Sequence, residues 1–215
     1  MKILGIITAR KNSKRVKNKN KKLLGSKPLI QYTFDIVKKS DFLSNTILST
    51  DDEDIFRIGK KNKIITPWLR PKRLAKDNTS SYKVVMHAYQ WYKKNYSDVD
   101  AIALFQPTSP FRKLKTINYV YDVFKENLGL KSVATVSFYR KKIFFKKNIK
   151  KISVFCPNGL IFLNPVKELK KYKSFMTEKT IPVVINDKTE TIDIDYPADW
   201  KKAEKVVKKF KLKLL

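Results

Sequence analysis

Two short runs, Ile3-Leu4-Gly5-Ile6-Ile7 and Ala101-Ile102-Ala103-Leu104-Phe105, are apolar without alternation. A strand with one wet face alternates apolar and polar residues; a strand covered on both faces does not. These runs therefore require helices above and below the sheet that holds them. The chain supplies candidates at helical spacing. Pro28 opens one helix, with Leu29, Ile30, Tyr32, Thr33, Ile36 and Val37 on its apolar side. Glu53–Lys61 forms a second, and 80–95 a third through Val84, Val85, Ala88, Trp91 and Tyr92. Thr116–Phe124 forms a fourth. A last helix starts near Asp199 or Trp200, with Ala203, Val206, Val207 and Phe210 on one face. Further strands are expected at Thr46–Ser49, Ile64-Ile65 and Ser132–Val136. Strands alternating with helices imply an α/β fold with a mainly parallel sheet. No Gly/Ser linker or repeat divides the 215 residues, so the chain reads as one domain, 1–215. The aromatic and basic stretch 138–162 breaks the alternation and reads as an excursion, a hairpin or a dimerisation arm.

In such sheets ligands bind beyond the carboxyl ends of the strands. Three polar loops leave those ends: Arg10–Lys22, Asp51-Asp52 and Gln106–Arg112. The first is unusual, because eight of its thirteen residues are Lys or Arg. It suits a triphosphate, whose charge several cations and backbone amides neutralise together; a solvated basic turn is the plainer alternative. It is not a Walker A loop. In Glu190–Trp200, Asp193 and Asp195 alternate with Ile192 and Ile194. On a strand both carboxylates would share one face, about 7 Å apart at ~3.3 Å per residue. Such a pair suits Mg²⁺, which takes one or two carboxylates plus substrate phosphates; a solvated acidic edge is the alternative. The turn Leu104–Arg112 offers Gln106, Thr108, Ser109 and Arg112 to a ligand, or is simply rigid. The serines near 80–81 can cap a helix. His87 and Cys156 lack catalytic companions and read as inert.

The net charge of +29 points first to nucleic acid. Only seven of the 48 basic residues are arginine, and the lysines run from one end of the chain to the other. That spread argues for composition, and nucleic acid is not the expected partner. No apolar run approaches the ~20 residues of a membrane span, and the N-terminus does not read as a signal peptide. A cytoplasmic protein is expected. One cysteine excludes an internal disulfide and a cysteine-rich metal site.

Taken together the motifs resemble the CMP-sialic acid synthetases, cytidylyltransferases that activate nonulosonic acids. The resemblance rests on Ala9-Arg10, Ser13-Lys14-Arg15, Lys19-Asn20, Lys22, Leu24-Gly25 and Lys27-Pro28-Leu29. It continues in Ser49-Thr50-Asp51-Asp52, Arg70-Pro71, Leu74-Ala75, Asp77, Gln106–Pro110, Asn158-Gly159, Asp193, Asp195 and Asp199. It implies a three-layer Rossmann-like nucleotidyltransferase fold and transfer of CMP from CTP to a 2-keto sugar acid. By position, Arg10, Ser13, Lys14 and Lys19 would hold the triphosphate. Arg10, Lys14, Lys19, Asp193 and Asp195 would be the catalytic set. Asn20, Arg70 and Ser81 would face cytidine, and Gln106 and Arg140 the sugar acid. Asp193 and Asp195 would carry Mg²⁺. The resemblance also implies a homodimer, with the arm reaching the partner's sugar pocket. The related CMP-Kdo synthetases, or a nucleotide- or nucleic-acid-binding relative without turnover, are the alternatives. Where the family has two glycines this chain has Lys11 and Asn12, and where it has Pro-Gly this chain has Lys17-Asn18. Of the first two, Asn12 tolerates positive φ better.

Overall fold

The computed structural model of the chain describes residues 1–11, 13–145 and 148–212, with the backbone alone over 139–145, 148–153 and 210–212. Strand β1 (Ile3–Ala9) is followed by the basic loop and a small ribbon, β2 (Leu23–Leu24) with β3 (Lys27–Pro28). Then come α1 (Leu29–Val37), β4 (Leu43–Thr50), α2 (Glu53–Lys61), α3 (Ser81–Asn95), β5 (Ala101–Phe105) and α4 (Leu114–Glu126). Two long strands, β6 (Val133–Phe145) and β7 (Asn148–Pro165), lead to α5 (Val166–Tyr172), β8 (Ile181–Val184) and α6 (Pro197–Leu212). Among the described residues the main sheet has six strands in the order β4-β1-β5-β7-β6-β8. β1 lies parallel to both β4 and β5, and β6 is parallel to β8. Only β7 runs against its neighbours.

The unbroken apolar runs do what their pattern requires. Ile3 and Ile7 of β1, with Ala103 and Phe105 of β5, face Ile30 and Phe34 of α1 and Ile117, Val120 and Phe124 of α4. Leu4 and Ile6, with Ile102 and Leu104, face the opposite layer, Val85, Ala88 and Tyr89 of α3 and Leu169 of α5. The two-residue period of the strands thus divides one sequence run between two cores. A third, smaller cluster joins Val16, Leu24 and Leu29 to Ile194, Trp200 and Ala203. It fastens the basic loop to the end of the chain, across roughly 180 residues of sequence.

Four expectations change. Ile64-Ile65 forms no ladder; Ile65 makes a single bridge to Ile47, and Leu69 another to Thr50. Residues 192–195 are extended but pair with no strand, because Ile194 N donates to the carbonyl of Thr108 in the turn after β5, at 2.8 Å, instead of to a ladder. The last helix starts at Pro197, which suits the first helical position. There the Asp199 carboxylate reaches back to accept from Tyr196 N at 3.0 Å, half of a capping box. Finally, 138–162 is not wholly an excursion. β6 and β7 form one continuous ribbon from Phe145↔Asn148 to Val136↔Pro157, but Leu160, Ile161 and Phe162 are buried beside β5, inside the sheet.

Candidate active site

The carboxyl ends of β1 and β5 open on a cleft of about 450 Å³; Asp51 and Asp52, expected at its edge, do not line it. It is lined by Arg10, Ser13, Lys14, Lys19, Asn20, Arg70, Ser81, Gln106 and Asp195, among others. These are nine of the residues singled out from the sequence. Asp193 does not line it, and the side chain of Arg140 lies outside the described residues, as does Asn12.

One wall is the loop after β1. Its shape is held by backbone and amide contacts: Lys11 N donates to Asp51 Oδ1 at 2.9 Å, and Asn20 Nδ2 donates to the Arg10 carbonyl at 3.2 Å. Asn18 takes a left-handed conformation, φ 53°, at the position where the resemblance has glycine. Asparagine adopts that region more readily than most residues, so this turn is made without glycine. The loop's cations are engaged by carboxylates. Arg10 and Lys14 both pair with Asp77, and Lys19 and Arg15 both pair with Asp195, at 3.2 and 3.5 Å. Lys19 also donates to the Ile194 carbonyl, and the Arg15 guanidinium lies over the Tyr196 ring at 4.5 Å. Most of these groups are solvent-exposed, so the pairs are weak and exchangeable. They bring basic loop and acidic segment together without locking either.

The floor is more rigid. Arg70 is buried; its Nε donates to Ser49 Oγ at 3.0 Å, and its terminal nitrogen reaches the Ser49 and Ala9 carbonyls. It ties the ends of β1 and β4. Burial lowers its pKa to about 10, and the Asp51 charge opposes that shift. The two serines at α3 have separate duties: Ser80 caps the helix, accepting from Lys83 N, which leaves Ser81 on the cleft. Asn20 is buried, and its Oδ1 has no hydrogen-bond partner among the described residues.

The opposite wall is the turn after β5. Gln106, Pro107 and Thr108 face the cleft. Ser109 and Arg112, expected as ligand groups, turn away from it. Both are buried and bond to backbone carbonyls of β7. The segment carrying Asp193 and Asp195 joins this wall. Thr108 hydrogen-bonds Asp193, whose carboxyl is pushed above the ordinary range, first by burial and further by the Asp195 charge. Asp193 Oδ1 is buried without a partner among the described residues, whereas the Asp195 side chain is 50% exposed. Among the described residues no three Asp, Glu, His or Cys side chains form a cluster for a metal. Two carboxylates, one with an unsatisfied oxygen, fit a hard cation that draws its remaining ligands from phosphate.

Asp77 and Arg112 have larger structural parts than the sequence revealed. Asp77's signal was its place beside Arg70-Pro71 in the loop before α3. Arg112's inward turn left no signal, because its partners are carbonyls remote in sequence.

A parallel-strand carboxyl edge, a cationic loop and a facing carboxylate, Asp195, with Asp193 buried behind it, together define a site of the nucleotidyltransferase kind. The chain belongs to the cytidylyltransferase family, whose model matches residues 4–212, and is a nucleotidyltransferase. It is 32% identical to the CMP-N,N'-diacetyllegionaminic acid synthase of Legionella pneumophila, over 96% of this chain and 97% of that one. It is 31% identical to the N-acylneuraminate cytidylyltransferase of Escherichia coli over 94% of its own length, but spans only 51% of that protein. Among solved structures, a CMP:2-keto-3-deoxy-manno-octonic acid synthetase complexed with CTP superposes with a TM-score of 0.70 at 12% identity, covering 97% of this chain and 99% of the other. The 4-diphosphocytidyl-2C-methyl-D-erythritol synthase of Anaerococcus prevotii superposes at 0.69 with 16% identity, covering 96% and 98%. These two likenesses establish the three-layer nucleotidyltransferase fold.

Proposed function

We propose that this chain transfers CMP from CTP to a nonulosonic acid and releases pyrophosphate. The observation that carries the reading is one cleft lined by Arg10, Lys14, Lys19, Asn20, Arg70, Ser81 and Gln106, in which Lys19 pairs with Asp195 from the far end of the sequence. The full-length similarity to a legionaminic acid synthase makes an acid of that type the first acceptor to try.

The anomeric hydroxyl of the acceptor attacks the α-phosphorus of CTP. The new O–P bond forms, the bond to the bridging oxygen breaks, pyrophosphate leaves, and the hydroxyl proton is released to solvent. The chemistry is mainly positioning and charge neutralisation. Arg10, Ser13, Lys14 and Lys19 hold the phosphates, which displace Asp77 and Asp195 from these cations. Asn20 and Ser81 meet the base, with Arg70 beneath. The Asn20 amide is oriented through its bond to the Arg10 carbonyl, which leaves Oδ1 as an acceptor for a base amino group. Gln106 meets the acceptor, and Arg140 is assigned to its carboxylate. Asp193 and Asp195 would hold Mg²⁺, which neutralises the α-phosphate and the leaving pyrophosphate when bound. The chain acts in the cytoplasm as a homodimer, with the distal β6–β7 ribbon as the arm.

The test is pyrophosphate release with Mg²⁺, each of CTP, ATP, GTP and UTP, and a panel of legionaminic, sialic, pseudaminic and Kdo acids. Release that requires both CTP and one nonulosonic acid is expected. Release with Kdo alone moves the chain to the alternative subfamily, and release with none of them removes the reading.

A further inference from the structure

β7 leaves its ladder at one place. Between the pairs Ala134↔Phe162 and Val136↔Pro157, Thr135 of β6 alone faces residues 158–161 of β7. Such a bulge deprives buried carbonyls of ladder donors, and each then needs another. The donors come mainly from the turn after β5. Ser109 Oγ donates to the Asn158 carbonyl at 2.7 Å, and Gln106 N to that of Gly159 at 3.4 Å. Arg112 donates to the Gly159 carbonyl at 3.1 Å and, through Nε, to that of Leu160 at 2.6 Å. Thr135 Oγ1 serves Ile161 at 3.2 Å. The same guanidinium reaches the Gln106 carbonyl, and at 3.1 Å Thr33 Oγ1 of α1.

Arg112 therefore spends its planar fork on acceptors from three elements. It forms no ion pair among the described residues, and burial lowers its pKa to about 9. A lysine offers a single nitrogen and cannot span this set. The bulge also shapes what lies next to it. Gly159 has φ +73°, and a Cβ there would stand 2.6 Å from Gln106 Oε1 and 3.0 Å from Ser109 Oγ. The Gln106 amide thus rests in the space left by this glycine.

We propose that Arg112 is a positioning residue for the acceptor half of the reaction. By tying the carbonyls of Gln106, Gly159 and Leu160 into one unit, it sets where Gln106 meets the sugar acid. This rests on the acceptor assignment made above. The rival role is general stabilisation of the core, and the two differ in what they leave intact. Among the described residues, Arg70 and the basic loop, assigned to CTP, share no hydrogen bond with Arg112.

The experiment uses the full chain and two variants, Arg112→Lys and Thr33→Val. CTP affinity is measured by calorimetry without acceptor. Turnover and KM are measured for CTP and for the acceptor that the wild type uses, together with thermal midpoints. For Arg112→Lys, kcat/KM for the acceptor should fall on the order of 10²-fold, the effect of about 1 Å of misplacement. The CTP dissociation constant should stay within ~2–3-fold, as for sites without shared partners. Thr33→Val should give the same acceptor-specific loss at smaller amplitude, and it decides the matter if Arg112→Lys does not fold. CTP affinity and acceptor kinetics falling in parallel overturns the proposal, as does unchanged acceptor kinetics. A wild type inactive with every sugar acid also overturns it, but by removing the acceptor itself, which is a separate and visible result.

Discussion

The two walls of the cleft are built from opposite materials. The loop wall consists of long side chains on the surface; Lys14 is 73% exposed and pairs with a carboxylate that is itself half exposed. The turn wall consists of backbone carbonyls and buried side chains; Ser109 is fully buried and Arg112 is 7% exposed. On the first wall charge is plentiful and no single contact is decisive, because water and salt screen each pair. On the second, few groups act and each is committed, because a buried polar group without a partner costs more than the bond it made. A wall of exposed, screened charges suits a ligand that brings its own charge and displaces what it finds. A rigid wall suits an acceptor that must be aimed.

Four changes break or sharpen this contrast. The largest effect is expected from Asp193→Asn. Removing one carboxylate of the pair should cost turnover about 10²–10³-fold, several kcal/mol of barrier. The thermal midpoint without Mg²⁺ should hold or rise, since a buried carboxylate with one unpartnered oxygen is itself unfavourable. Turnover that survives would remove the metal assignment. Next, Ser109→Ala strips the Asn158 carbonyl of its donor. Denaturant titration should show a loss of about 1–3 kcal/mol, with CTP affinity preserved; a neutral change would mean the bulge does not need its donors. On the loop wall, Lys14→Met should weaken CTP binding by no more than ~1 kcal/mol at low salt. The difference from wild type should shrink toward 1 M salt, where the Debye length is about 3 Å. An effect that large salt leaves untouched would place Lys14 with the buried wall.

The smallest effect lies away from the cleft. Asp187 is held down at about 2, first by the Lys113 ammonium and also by the backbone N–H groups of Thr189 and Glu190. A carboxyl with a lowered folded value adds stability above its unfolded value, near 3.8, and that stability drains away as pH falls toward 2. In Asp187→Asn the acid limb of the stability profile should flatten between pH 4 and pH 2, with a slightly lower midpoint at neutral pH. An unchanged limb would show that the Lys113 pair is open in solution.

Legibility followed the same division. Charged residues in the loop after the first strand could be singled out by local pattern, and Arg10, Lys14 and Lys19 all line the cleft, as does Gln106 from the turn after β5. Asn20, Arg70 and Ser81 are marked only by the family resemblance, and they line it too. The inward turn of Ser109 and Arg112 could not be read, because a polar residue in a turn gives no sign of whether its partner is a ligand or a distant carbonyl. Nor could the loss of the strand at 192–195. Only part of its alternation survives: Ile194 is fully buried and Asp195 exposed, but the Asp193 carboxylate, expected on the same face as Asp195, is turned inward toward Thr108.

The sequence by itself determined the layers. Unbroken apolar strands at 3–7 and 101–105 admit only a sheet covered on both sides, and helical spacing supplies the covers. It also determined that a cationic loop would follow the first strand, since local pattern sets local structure. Tertiary structure alone decided which groups meet across long separations. The third hydrophobic cluster brings Asp195 to Lys19, and the bulge in β7 gives Arg112 its partners. Those outcomes depend on how whole elements pack and on where buried carbonyls are left without donors, and neither quantity is a property of any short stretch of chain.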